Sequence, residues 1–316
     1  MSEDLRNFLI FKRSVGYRYA RAEFTLLEFD RFLNKYAVEN RRWRLDQAIM
    51  AWLSSKPQRQ PISVGADATV LRQFCSYLHR LPGRRAGRDP LWPKLPTESV
   101  FVPCVLSEAN IHQLLELATH LGRPNFRASL YRALLLVLYC TGLRFGEALR
   151  LCLRDVNTGT GLIFVDMFKG RSRWVPMHRS LSRELDKYLV ERRTVARAQP
   201  DDRFFTGANC KELPVSTAEY TLRKLFQRAG LKPARGRVGP RPYDLRHAFA
   251  VQRLSLWYRR GMDLHAHLPW LSAYMGHDDI LGTETYLTAT PELLELAGSR
   301  LRRRYMETSE QEDVDI

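Results

Sequence analysis

The sequence predicts a mainly α-helical chain with a small β-sheet, arranged as two domains. Three observations carry that expectation. Residues 4–80 place apolar side chains at helical spacing three times over: Phe24, Leu27, Phe32, Leu33 and Tyr36; Leu45, Ile49, Trp52 and Leu53; Val70, Leu71, Phe74, Cys75 and Leu78. Residues 80–103 then change character, with five prolines and Arg80, Arg84, Arg85 and Arg88, a composition that suits an extended connector. Past residue 106 helical patterns return, interrupted by GLIFVDM and RWVPM, two short apolar runs separated by FKGRS, which read as a β-hairpin with Lys169–Gly170 at its turn.

Taken in order, residues 1–80 form a bundle of four or so helices, broken at KPQRQP (56–61) and around Asn40. Residues 81–105 are the linker, read either as a solvated connector or as a basic strap lying on nucleic acid through Arg84, Arg85, Arg88 and Lys94. The second domain, 106–316, opens with Ser107 as the N-cap of LSEANIHQLLELA. A strongly apolar helix at 126–140 belongs in its core, and TGLRFGEALRL turns through a glycine into another helix. After the hairpin, helical patterns cover 180–198, 216–229, 244–259 and 265–275. An amphipathic helix at 291–305 ends in a basic cluster, and an acidic tail follows it.

Composition bounds the function. Lys and Arg number 50 against 34 Asp and Glu, a formal net charge of +16 with a pI near 9.9. Such an excess points to a polyanionic partner, because each phosphate neutralised releases condensed counterions. The charge is spread along the chain rather than gathered on one amphipathic helix, which argues against a membrane surface. The five cysteines contain no CxxC pair and read as reduced thiols of a cytosolic protein. The N-terminus does not resemble a signal peptide, and the apolar run at 133–140 is too short to span a bilayer.

There is no GxxxxGK[ST] loop, no HExxH and no cluster of carboxylates. What remains is a dispersed set of groups suited to a phosphate: Arg144, Lys169, Arg246, His277 and Tyr286. Each has an ordinary alternative. Arg144 can pair with Glu147 one helical turn on, Lys169 can be solvated, His277 can sit at a helix end and Tyr286 can be packing. Together they fit one task. Two arginines can hold the non-bridging oxygens of a phosphodiester, a tyrosine can attack phosphorus and a lysine can protonate the departing oxygen.

TGLRFGEALRL, the hairpin lysine, YDLRHAFA and GHDDILGTETYL, in that order and with His277 and Tyr286 nine residues apart, closely resemble the tyrosine recombinase (phage integrase) family over most of residues 106–305. The resemblance implies a helical core-binding domain and an α+β catalytic domain, closing as a C-shaped clamp around duplex DNA. It implies that Arg144 and Arg246 clamp the scissile phosphate, Lys169 is the general acid, His277 binds a non-bridging oxygen and Tyr286 becomes a 3′-phosphotyrosine, without metal or ATP. Glu147 would orient its neighbours, and Arg241 is a further backbone contact. Four protomers would join two DNA sites, with helix 291–305 either exchanged between subunits or packed on its own domain. A cytoplasmic, nucleoid-associated bacterial protein of a mobile element is the expected setting.

One position departs from the family pattern. The second arginine block usually reads H-x-L-R-H, and here its first histidine is Tyr243. A phenol can still donate to a phosphate oxygen, but it is a poorer proton acceptor than an imidazole near neutral pH. His247, next to Arg246, is either a stand-in for the missing histidine or a structural residue. Two other activities fit much of the pattern: type IB topoisomerase-like relaxation, and a non-catalytic DNA-binding accessory role.

Overall fold

The computed structural model describes residues 3–39, 44–55, 57–81, 104–122, 125–166, 172–195, 199–207, 212–236, 238–277, 279–284, 286–287, 298–299 and 302. The chain divides into two compact units, residues 1–101 and 102–316.

The first unit contains α1 (Glu3–Ser14), α2 (Ala20–Glu39), α3 (Leu45–Ser54) and α4 (Pro61–His79). Leu5, Phe8, Leu26, Phe29, Ile49, Trp52, Leu71 and Phe74 interlock in its core. Fully burying a side chain of this size contributes about 1.5–3 kcal/mol, so the packed stripes rather than helix propensity hold the bundle. Pro61 stands at the start of α4, where a missing N–H costs nothing. The face assigned to α2 needs correction. Phe24 is 62% exposed, whereas Leu26 and Phe29 are fully buried. Ala22, Leu26 and Phe29 recur at intervals of four and three and meet the neighbouring helices, while Phe32 and Leu33 of the Phe24, Leu27, Phe32, Leu33 and Tyr36 reading do pack against this core. Beneath it the buried Thr25 hydroxyl donates to Asp67 at 3.1 Å, and Arg59 pairs with the same carboxylate. Of the linker, only Leu81, Cys104 and Val105 are described; Arg84, Arg85, Arg88 and Lys94 lie outside the described residues.

The second unit contains α5 (Glu108–Thr119), α6 (Asn125–Thr141), α7 (Phe145–Arg150), β1 (Val156–Asn157), β2 (Leu162–Val165), β3 (Arg173–Pro176), α8 (Arg179–Val195), α9 (Val215–Arg228), α10 (Asp244–Arg259), α11 (Leu264–Met275) and the short α12 (Leu281–Glu284). Ser107 caps α5 as the sequence predicts: its Oγ accepts from the Asn110 N–H at 3.2 Å, and Asn110 Oδ1 accepts from the Ser107 N–H at 3.1 Å. Helix α6 is buried almost all round, through Leu130, Leu134, Val137 and Leu138 among others, and packs against α5, α8 and α10. The expected hairpin is present, with β2 and β3 antiparallel and Val165 opposite Arg173. A two-residue strand, β1, adds an edge in the order β1-β2-β3. It is too short to show alternation in the sequence. Lys169 falls in the connection between Val165 and Arg173 and lies outside the described residues, as does most of 291–305. Among the described residues no helix is long and apolar enough to cross a membrane.

Candidate active site

Three helix ends meet at one place in the second unit. The C-terminal end of α6 passes through Gly142 into Arg144, α10 begins just after Tyr243, and α11 ends at Gly276 before His277. Gly142 has φ 62°, and a Cβ there would lie 2.4 Å from the Phe249 ring on α10. Glycine therefore meets both the backbone demand and the close approach of α10 to α6.

Arg246 is the centre of the cluster. It is 1% exposed and fixed from two sides: Nη1 donates to the Gly142 carbonyl at 2.7 Å, and Nη2 to the Met275 carbonyl at 2.9 Å and to His277 Nε2 at 2.7 Å. A buried guanidinium is expensive unless its donors are used, and these bonds tie the start of α10 to the ends of α6 and α11. Burial pushes its pKa below the ordinary arginine value, while the nearby Tyr286 acts in the opposite direction.

Arg144 is partly exposed. Its Nη1 donates to Glu147 Oε1 at 2.8 Å, its backbone N–H to Oε2 at 3.0 Å, and its Nη2 to the Gly276 carbonyl at 2.6 Å. The helix pairing with Glu147 read as an ordinary alternative is thus real, and it coexists with a place in the cluster. Sequence reasoning missed Arg173 on β3. Its Nη2 donates to Glu147 Oε2 at 2.9 Å and its Nε to the Tyr274 carbonyl at 2.8 Å. Burial alone would raise the Glu147 carboxyl; Arg173 and Arg144 outweigh it and hold the group below the usual carboxylate range. The available signal was the strand period: Arg173 shares its strand face with the buried Val175, and an inward arginine needs an anion.

His277 stands between Arg246 and Thr283, with its Nδ1 2.6 Å from Thr283 Oγ1. Burial first, then Arg246, Arg144 and Arg173, bring its pKa down to about 4, so the ring is neutral near pH 7. Tyr286 is 4% exposed, its ring set in the apolar cluster of Phe249, Leu254, Leu271 and Met275. Its hydroxyl lies within electrostatic range of the Arg246 guanidinium and the Tyr243 phenol. Burial raises its pKa, Arg246 acts against that and Tyr243 adds to it.

Tyr243 is 40% exposed at the N-cap of α10, so the residue in the histidine's place borders solvent, within electrostatic range of Tyr286. His247 is wedged edge-on between the two tyrosines, with ring centroids 4.9 Å from Tyr243 and 5.1 Å from Tyr286. Burial, then Arg241 and Arg246, lower its pKa to about 4. Its Nδ1 is buried without a hydrogen-bond partner among the described residues, and its Nε2 lies 4.0 Å from Asp244 Oδ1. Arg241 is half exposed; its backbone N–H donates to Asp244 Oδ2 at 2.7 Å, and its Nε is 3.7 Å from the same oxygen. Upstream, the buried Lys232 donates to the carbonyls of Val238, Gly239 and Pro240 at 2.9–3.2 Å and pins the turn leading to Tyr243.

The structure therefore brings together Arg144, Glu147, Tyr243, Arg246, His247, His277 and Tyr286, widely separated in sequence, and adds Arg173 and Thr283. Such an arrangement can bind a tetrahedral anion against two arginines with a phenol beside it.

The chain resembles known proteins in sequence and in fold. The chain is 31% identical to a protein named as an integrase/recombinase, y4rB, of Sinorhizobium fredii, over 95% of this chain and 96% of that one. It is 27% identical to the tyrosine recombinase XerD of Vibrio cholerae, over 86% of this chain and 88% of the relative. Its fold resembles that of the Tn1549 transposon integrase in complex with transposon right end DNA, with a TM-score of 0.68 at 14% identity over 95% of this chain and 98% of that one. It also resembles XerH recombinase bound to difH substrate in a post-cleavage complex, with a TM-score of 0.67 at 18% identity over 88% and 78%. Residues 105–292 match the Phage integrase family, and with the y4rB relationship spanning nearly the whole chain, this protein belongs to that family.

Proposed function

We propose that this protein is a site-specific DNA recombinase that cuts and rejoins duplex DNA through a covalent 3′-phosphotyrosine. The observation that carries the reading is the convergence on the buried Arg246 of His277, in hydrogen-bond contact at 2.7 Å, and of Tyr286, whose ring stacks 6.1 Å from that of His277. A phosphate held there by Arg144 and Arg246 would meet the Tyr286 oxygen directly.

In the proposed step, Tyr286 Oη forms a bond to phosphorus as the bond from phosphorus to the 5′ oxygen breaks. Lys169 supplies the proton that the 5′ oxygen takes up. The tyrosine proton leaves through Tyr243 or water. Charge growing on the non-bridging oxygens is met by Arg144, Arg246 and His277, whose hydrogen bonds strengthen in the transition state. The phosphodiester energy is kept in the phosphotyrosine, so rejoining by a 5′-hydroxyl requires no nucleotide cofactor. Arg173 and Glu147 position Arg144. The first unit, the basic linker residues Arg84, Arg85, Arg88 and Lys94, and Arg241 would contact DNA outside the scissile phosphate. Four protomers on two duplexes, with residues 291–305 reaching a neighbour, complete the proposed assembly.

The test is adduct formation on a nicked duplex that loses its short 5′ fragment after cleavage. Wild-type protein should give an SDS-stable protein–DNA band, and Tyr286→Phe, which keeps the buried ring, should give none. An adduct that survives Tyr286→Phe would refute the assignment.

A further inference from the structure

His277 Nε2 lies 2.7 Å from Arg246 Nη2. A guanidinium only donates, so in the free protein this ring nitrogen holds a lone pair and the neutral ring carries its proton on Nδ1. Nδ1–H then donates to Thr283 Oγ1 at 2.6 Å. A phosphodiester oxygen has the opposite requirement, because it only accepts. To hold one through Nε2, His277 must carry the proton on that nitrogen, and a neutral ring then presents a lone pair at Nδ1. The ring is kept neutral by its burial and by the three arginines around it. Its Nδ1 partner must therefore accept in one state and donate in the other. A hydroxyl does both by rotating one hydrogen, with no heavy atom moving. Thr283 is 0% exposed, so water has no access to take over its part.

We propose that Thr283 is a positioning residue that lets His277 exchange tautomers, accepting from Nδ1–H in the free protein and donating to Nδ1 when Nε2–H turns to a phosphodiester oxygen. The exchange releases the Nδ1 proton to solvent and takes one up at Nε2 while the partly exposed ring is swung away from Thr283, and it changes neither the ring's charge nor the number of bound protons. This assignment rests on the phosphate-binding role proposed for His277. It places Thr283, six residues after the histidine and three before Tyr286, in the positioning machinery as the partner that makes a neutral histidine usable by two successive occupants.

The test combines nitrogen NMR of protein labelled with ¹⁵N-histidine and adduct kinetics on nicked duplexes cut from the DNA flanking the gene. In free protein His277 should show the Nδ1–H tautomer. Saturation with inorganic phosphate, or with a duplex, should convert it to neutral Nε2–H. Thr283→Val, of equal size but without the hydroxyl, should slow adduct formation roughly tenfold, the worth of one hydrogen bond, with duplex retention unchanged. Thr283→Ser should keep the wild-type rate. An Nε2–H ring in the free protein, an unchanged tautomer or an imidazolium at saturation, or a wild-type rate in Thr283→Val would overturn the proposal. If phosphate converts the tautomer while wild-type protein forms no adduct on any duplex, the recombinase reading fails and the assignment of Thr283 stands.

Discussion

Arg173 on β3 donates from Nη2 to Glu147 Oε2 on α7 at 2.9 Å, and the same carboxylate receives Arg144 from the other side. The Glu147 side chain is 1% exposed and that of Arg173 10%. Breaking such a pair strands a buried charge. Arg173→Met should cost about 3 kcal/mol, read from denaturant midpoints, and should lower adduct formation because Arg144 loses its brace. A cost below about 1 kcal/mol would show that Arg144 alone satisfies Glu147.

The same carboxylate sets an acid limit. Its folded pKa lies below the ordinary value of 4.5 because Arg173 and Arg144 outweigh burial. The stability it contributes is therefore fully present above about pH 4.5 and is lost as pH falls through the lower folded value. Glu147→Gln should be less stable at neutral pH and should lose less on acidification below 4.5 than wild type. Parallel acid limbs in thermal melts of the two proteins would contradict this.

Glycines with left-handed backbone separate strain from crowding. Gly276 has φ 69°, and a Cβ there would lie 2.6 Å from the Arg173 guanidinium; Gly261 has φ 72° with nothing within 4 Å. Gly261→Ala should cost only the backbone term of about 1–2 kcal/mol. Gly276→Ala should cost more and should also weaken cleavage, because Arg173 and the neighbouring His277 must shift. Equal melting shifts together with wild-type cleavage would remove Arg173 from the account.

Lys232 stands outside the catalytic groups and holds three consecutive carbonyls before Arg241. Lys232→Met should cost about 1–3 kcal/mol through the unsatisfied carbonyls. It should loosen the turn that carries Tyr243, lowering the cleavage rate more than duplex affinity. An unchanged rate would mean that α10 alone fixes Tyr243.

Tyr243 lies within electrostatic range of Tyr286, and its presence raises the pKa of that phenol. In Tyr243→Phe, Tyr286 should titrate at lower pH than in wild type, followed by carbon NMR of labelled tyrosine. Tyr243→His should retain or speed cleavage. A dead Tyr243→His protein with intact DNA binding would give Tyr243 an indispensable role of its own.

Much of the site was legible because its chemistry needs particular residue types. Arg144, Arg246, His277 and Tyr286 stood out as phosphate-directed groups, and the fold brings them together. Arg173 was harder to see: a single inward arginine on a four-residue strand looks like a solvated charge until its partner across the unit is known. Thr283 carried no sequence signal, since a threonine among Thr and Glu residues reads as surface, and only the fold buries it against His277. Phe24 shows the complementary error. Apolar spacing located the helix, but which apolar stripe faces inward depended on where α3 and α4 lie.

Tyr286 is proposed to form the covalent bond to DNA. Peptide mapping by mass spectrometry of the adduct trapped on a nicked duplex tests it most directly. A nucleotide attached through its 3′ phosphate to Tyr286, with a free 5′-hydroxyl on the released strand, is the result predicted. Attachment at Tyr243, attachment through a 5′ phosphate, or tight binding with no adduct would contradict it.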